Sequence, residues 1–119
     1  MKLKDDSAFT LLEIIIVIGI IALLAAFAVQ QFAIYRSQGT DTEMRSDLKN
    51  AAIAMESYFA EYRSYPTSVT AITAKGFRQT SGVALTIVVT SPSTFTLTAS
   101  KPNGTQASFV FDSSTGSIN

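Results

Sequence analysis

Phe9–Tyr35, FTLLEIIIVIGIIALLAAFAVQQFAIY, decides how the rest of the chain is arranged, and a single carboxylate, Glu13, interrupts its otherwise uncharged course. An apolar run of about 20 residues or more is long enough to cross the ~30 Å hydrocarbon core of a bilayer as a helix. The rest of the 119 residues has room for one small domain. Of the whole chain 47% is hydrophobic, but that share is concentrated in the first third, so the remainder is a polar domain with a modest core. A domain that small is marginal alone and gains from packing against neighbours.

Composition narrows the chemistry. There is no Cys and no His, so the chain has no disulfide framework and no thiolate metal site, and it lacks the commonest general bases. Hydrolytic or redox catalysis is therefore not expected, nor is a cofactor. Nine basic residues balance nine acidic ones, which leaves no electrostatic footprint for nucleic acid.

Upstream of the apolar run lies Met1–Ala8, MKLKDDSA, short, polar and ending in two small residues. It reads as a cleavable leader. A conventional secretory signal is a rival reading, with Ala26-Phe27-Ala28 as its small-x-small cleavage site. Against it, Lys2 and Lys4 are offset by Asp5 and Asp6, and the apolar run continues past that site through Val29, Phe32 and Ile34.

Ala8 followed by Phe9-Thr10-Leu11-Leu12-Glu13 and an Ile/Val/Leu run closely resembles the prepilin motif of type IV pilins and of the pseudopilins of type II secretion. The resemblance implies cleavage between Ala8 and Phe9 by a membrane prepilin peptidase, which then methylates the new Phe9 amine. Ala8 stands where the family usually has Gly. It also implies that Glu13 meets the terminal amine of its own or a neighbouring subunit during assembly, making Phe9 and Glu13 the assembly residues. On physical grounds alone, an acid at this depth is either interfacial, snorkelling into water, or retained for a function. The partners implied are further copies in a helical homopolymer, the peptidase, an inner-membrane assembly platform with its motor ATPase, and membrane lipid before assembly. No nucleic-acid partner is expected.

Within the run, Gly19, Ala22 and Ala26 share a helix face on which small residues let neighbouring helices approach, although Gly and Ala are also common in membrane helices generally. Gln30 occupies a position where the family often has Pro, which leaves the helix one less built-in break.

Downstream of Tyr35, Met44, Leu48, Ala51 or Ala52, Met55, Phe59 and Tyr62 recur at helical spacing. Glu43, Arg45, Asp47, Lys49, Glu56 and Glu61 are expected mostly on the other faces. A single helix from Phe9 to about Tyr62 would be roughly 80 Å long. Gly39 marks the place for a bend near Ser37–Thr40. Pro66 ends the helix by Arg63–Tyr65, and Tyr65-Pro66 matches a pair common at this point in the family.

Residues 63–82 read as an exposed connecting segment, with one helical turn over Val69–Lys75 closed by Gly76 and Gly82. Val83, Leu85, Ile87 and Val89 then alternate with Ala84, Thr86, Val88 and Thr90. After Ser91-Pro92-Ser93, Phe95, Leu97 and Ala99 alternate with Thr94, Thr96 and Thr98. Lys101-Pro102-Asn103-Gly104 is a turn, and Ala107, Phe109 and Phe111 form a third apolar face. A small antiparallel sheet needs a cover for its apolar face, and the amphipathic half of the helix is the available one.

The expected fold is thus α+β: a long N-terminal helix packed against a three- or four-stranded antiparallel meander, which is also the pilin fold the resemblance implies. Its parts are a leader (1–8), a hydrophobic helix half (9–35), an amphipathic half (36–62), a connecting segment (63–82) and a β region (83–119). The disulfide that often closes the C-terminal region of such pilins is impossible without Cys. Asn103-Gly104-Thr105 fits an N-glycosylation pattern but is explained by the turn, and Asp112 with Ser113 and Thr115 has too few carboxylates for calcium. The aromatics along the helix read as packing residues rather than an electron path.

The expected function is a structural filament subunit at the cell surface, made as an inner-membrane precursor. Without residues 1–8 the chain keeps seven bases and seven acids, so polymerisation meets no net charge. Alternatives are a type II secretion pseudopilin and, more distantly, a membrane-tethered binding module.

Overall fold

The computed structural model describes residues 10–119; the leader, the Ala8–Phe9 junction and the Phe9 amine lie outside the described residues. The first helix, α1, spans Leu11–Tyr62, 52 residues with no Pro. By internal packing the chain divides between Tyr35 and Arg36.

On the N-terminal side of that division there is only helix, and every described side chain is exposed. Apolar residues occupy all faces of this segment, so it has no polar side to give to water.

The second unit, Arg36–Asn119, has a core. Helical structure continues through Gly39, where a bend was the expectation. One glycine costs only about 1 kcal/mol in a long cooperative helix. The Thr40 and Thr42 hydroxyls beside it donate to the Arg36 and Gln38 carbonyls one turn back, at 3.2 and 2.9 Å. The helix ends in a left-handed residue, Arg63 (φ 57°), whose N–H bonds the Phe59 carbonyl at 2.7 Å.

Asp41, Met44, Asp47, Leu48, Ala51, Ala54 and Met55 form the buried stripe of α1, at the three- and four-residue steps of one helix face. Phe59 is half-buried and Tyr62 exposed, so the predicted apolar stripe ends at Met55. Asp47, expected on a polar face, is instead 1% exposed, because a distant loop comes to meet it.

The sheet is a four-stranded antiparallel meander in the order β1 (Ala84–Ser91), β2 (Thr94–Ser100), β3 (Ser108–Asp112), β4 (Ser117–Ile118). Register pairs Ile87 with Leu97 and Ala99 with Phe109, so one face carries the apolar set. Ile87, Phe95, Leu97, Ala99 and Phe109 share a single buried cluster with Met44, Leu48, Ala51, Ala54 and Met55 of α1. Ala107 lies outside β3 and is exposed, so the third apolar face begins at Phe109.

The connecting segment departs from its expected exposure. A short helix, α2 (Val69–Thr73), starts at Ser68, whose hydroxyl accepts from the Thr70 N–H at 3.2 Å. It places Ile72 at 0% exposure, and Gly76, with φ +98°, turns the chain so that Phe77 follows it into the core at 2%. The Ser/Thr content of this segment serves caps and turns while its few apolar residues close the open end of the helix–sheet layer.

Candidate functional site

Two features are candidates for function, and both depend on side-chain oxygens placed on α1. The first is the helix start. Thr10 precedes the first helical residue, and its hydroxyl accepts from the Glu13 N–H at 3.1 Å while a Glu13 carboxylate oxygen accepts from the Thr10 N–H at 3.4 Å. This is a reciprocal capping box, which satisfies two of the four N–H groups that a helix leaves unpaired at its start. Glu13 also sits in the first turn, where the helix dipole favours an anion.

Thr10 is the residue that sequence reasoning missed. The Thr-x-x-Glu spacing ahead of an apolar run was the available signal, but the carboxylate was weighed only as a membrane charge. At 3.4 Å the carboxylate's bond is long, and two oxygens offer about four lone-pair positions, so Glu13 retains capacity for another donor. Of the predicted site residues Ala8, Phe9 and Glu13, only Glu13 falls within the described residues.

Beyond the cap, large apolar side chains from Leu11 (75% exposed) through Phe27 (62%) to Tyr35 (66%) stand uncovered. The helix is long and apolar enough to cross a membrane. At about 1.5 Å per residue, the stretch from Leu11 to Tyr35 exceeds a ~30 Å hydrocarbon core. A surface of this kind is stable in water only when lipid or other helices cover it.

The second feature is a pair of buried aspartates that hold the head loops. Asp47 accepts from the Thr80 N–H at 2.8 Å and from its hydroxyl at 2.6 Å, and Asp41 accepts from the Thr105 N–H at 2.8 Å and from the Thr105 hydroxyl. Asp41 brings its loop so close that a Cβ on Gly104 would lie 2.7 Å from its Oδ1, which explains a glycine there. Salt bridges join Lys75 to Glu61 and Lys101 to Glu43. The Arg45 guanidinium lies 4.6 Å from the Phe109 ring centroid.

Asp112 accepts from the Ser114 N–H and hydroxyl at 2.8 and 2.6 Å, which holds its carboxyl below the usual range. Burial, then the hydrogen bond to Glu56 and that group's charge, push the Tyr65 phenol up. The Tyr65 ring stacks on Phe59 at 4.7 Å and meets Phe95 at 4.7 Å, so the helix aromatics near the Pro66 turn are packing groups. Among the described residues no cluster of three His, Cys, Asp or Glu is placed to hold a metal.

Residues 3–29 match the prokaryotic N-terminal methylation motif. The type IV wide pilus major component PilA4 of Thermus thermophilus is 31% identical over 104 residues, 87% of this chain and 79% of that protein. The type IV major pilin protein PilA of Myxococcus xanthus is 37% identical over 60 residues, half of this chain and 27% of its own length. The type II secretion system core protein G of Pseudomonas aeruginosa is 34% identical over 68 residues, 57% of this chain and 48% of that protein. With a match covering most of both chains, a methylation motif at its start and a helix-plus-meander fold, this chain belongs to the type IV pilin family.

Proposed function

We propose that the chain is a structural subunit of a type IV pilus, stored in the membrane through its hydrophobic helix and polymerised by moving that helix into a filament core. The observation that carries this reading is the uncovered apolar helix Leu11–Tyr35 on a chain related over 104 residues to a wide-pilus major component. Lipid satisfies that surface before assembly, and copies of the same helix satisfy it afterwards. Residues 1–8 are the leader, 9–35 the anchor and filament core, and 36–62 the helix half that supports the connecting segment 63–82 and the β region 83–119. The partners are further copies, a prepilin peptidase and methyltransferase, and an inner-membrane platform with a motor ATPase. The assembled form is a surface filament with an adhesive or motile role, and the subunit is structural rather than catalytic.

In this reading the peptidase cuts between Ala8 and Phe9 and methylates the Phe9 amine. Glu13 holds the helix start through Thr10 while the precursor is in lipid, and its remaining acceptor capacity takes the Phe9 amine of its own or a neighbouring copy on assembly. The intact mass of the mature chain tests this directly. Loss of residues 1–8 plus one methyl group is expected; loss of residues 1–28, or no loss at all, contradicts it. A second reading, a type II secretion pseudopilin, is favoured by the match to protein G. Electron microscopy separates the two, since long sheared surface fibres containing this chain belong to a pilus.

A further inference from the structure

The first strand of the sheet is unprotected at its outer side. β1 ends the strand order, so its inner side is paired with β2 and its outer side with nothing. Among the described residues, no hydrogen bond other than those of the β1–β2 ladder reaches the backbone of Ala84–Ser91. The neighbouring α2 sends Ile72 into the core and donates nothing to this backbone.

Natural sheets blunt such edges with charge, Pro or very short strands. β1 uses none of these over its eight residues, ALTIVVTS, which are rich in β-branched side chains and uncharged. Its one irregularity, a register shift between Val89 and Ser91, lies at the far end. On the solvent face of the same strand stands Val88, 51% exposed, the one large apolar side chain of the sheet left uncovered among the described residues.

We infer that the outer edge of β1 is a docking site for β1 of a second copy, paired antiparallel about a two-fold axis at Val88. The unmade backbone bonds demand an extended strand as occupant, and charge selects this strand and this direction. Basic groups gather at the Gly82 end of β1, where the Lys101 side chain lies 3.2 Å from the position of a Gly82 Cβ and Arg78 is exposed. The opposite end is the Ser91-Pro92-Ser93 turn, which carries no charge. Antiparallel pairing sets each basic end against a neutral hydroxyl end, whereas parallel pairing sets basic against basic. The axis at Val88 covers the exposed valine with its own copy and sets Ile87 opposite Val89 on the core side. The pairing joins two heads edge to edge and is a contact separate from the one made by Leu11–Tyr35.

Because the chain has no Cys, a single introduced thiol reports the contact without background. In the full-length chain in detergent, Val88→Cys is oxidised and the disulfide dimer measured on a non-reducing gel. Two controls accompany it: Thr96→Cys, opposite Val88 on β2, and Ile53→Cys, on α1 and 68% exposed. Cross-strand neighbours lie within disulfide reach, so Val88→Cys is expected to give roughly tenfold more dimer than either control. Equal yields from all three overturn the inference, as they would if another protein's strand were the occupant of this edge.

A second measurement uses charge at the same position. Val88→Lys and Val88→Glu each place like charges across the axis and are expected to sediment as monomers, while their mixture forms heterodimers. A mixture that stays monomeric overturns the inference too. Neither assay requires cleavage before Phe9 or a filament, so the proposed function stands or falls separately.

Discussion

At the scale of single residues, the informative positions are carboxylates whose partners lie far away in sequence. Asp47 takes both donors of Thr80 at 1% exposure, and removing it strands a half-buried N–H and hydroxyl. Asp47→Ala is expected to cost about 1–3 kcal/mol of head stability, with Asp47→Asn losing less because one acceptor remains. Thermal denaturation checks this, since each kcal/mol moves the midpoint of a domain this size by roughly 4–8 °C. The titrating groups have opposite signs. Asp112 is held low by Ser114, so its contribution is complete above the ordinary carboxylate range and is lost as pH falls through its own lowered pKa. Tyr65 is held high, mainly by burial and then by Glu56, so its contribution is complete below the ordinary phenol value and is lost as pH rises through its raised pKa. Replacing Glu56 with Gln removes the negative neighbour, and phenolate absorbance should show Tyr65 titrating at lower pH.

At the scale of elements, α1 has two kinds of surface joined without a break in helical structure. Its start tests what Glu13 does. In Glu13→Gln the side chain still accepts from the Thr10 N–H but carries no charge, whereas Thr10→Val removes the hydroxyl that accepts from Glu13 and keeps the charge. Thr10→Val is expected to fray the first turn by about 1 kcal/mol, seen as faster amide exchange there, while filament yield falls only modestly. Glu13→Gln should leave exchange nearly unchanged and abolish filaments. Wild-type filament yield from Glu13→Gln removes the assembly role from that residue. The strands follow a simpler rule: inward Phe95, Leu97 and Ala99 alternate with outward threonines, and one face is buried.

At the scale of the whole molecule, two ways of hiding apolar surface coexist. The head hides its own, since Leu48 at 0% exposure shares a cluster with three buried phenylalanines, Phe77, Phe95 and Phe109. Leu48→Ala is expected to cost about 2–5 kcal/mol, a large part of what a small domain has, and circular dichroism in detergent should show the sheet melting early while helix from Leu11–Tyr35 persists. Coincident loss of both signals would mean that the apolar helix depends on the head. The segment Leu11–Tyr35 hides nothing by itself and requires a second phase or further copies.

Local pattern was enough to locate the apolar run, the amphipathic continuation, the Pro66 stop and the alternating strands, because helix and strand periods of 3.6 and 2 are written in adjacent residues. It was also enough to carry the family motif at Phe9-Thr10-Leu11-Leu12-Glu13. Tertiary structure alone decided that Asp41 and Asp47 belong inside, since their partners lie 64 and 33 residues away and no periodicity encodes a loop that distant. It decided likewise that Ile72 and Phe77 leave a polar connecting segment for the core, and that β1, rather than any other strand, keeps an open edge. Burial and strand order are properties of what the rest of the chain leaves uncovered, and only the assembled fold fixes that.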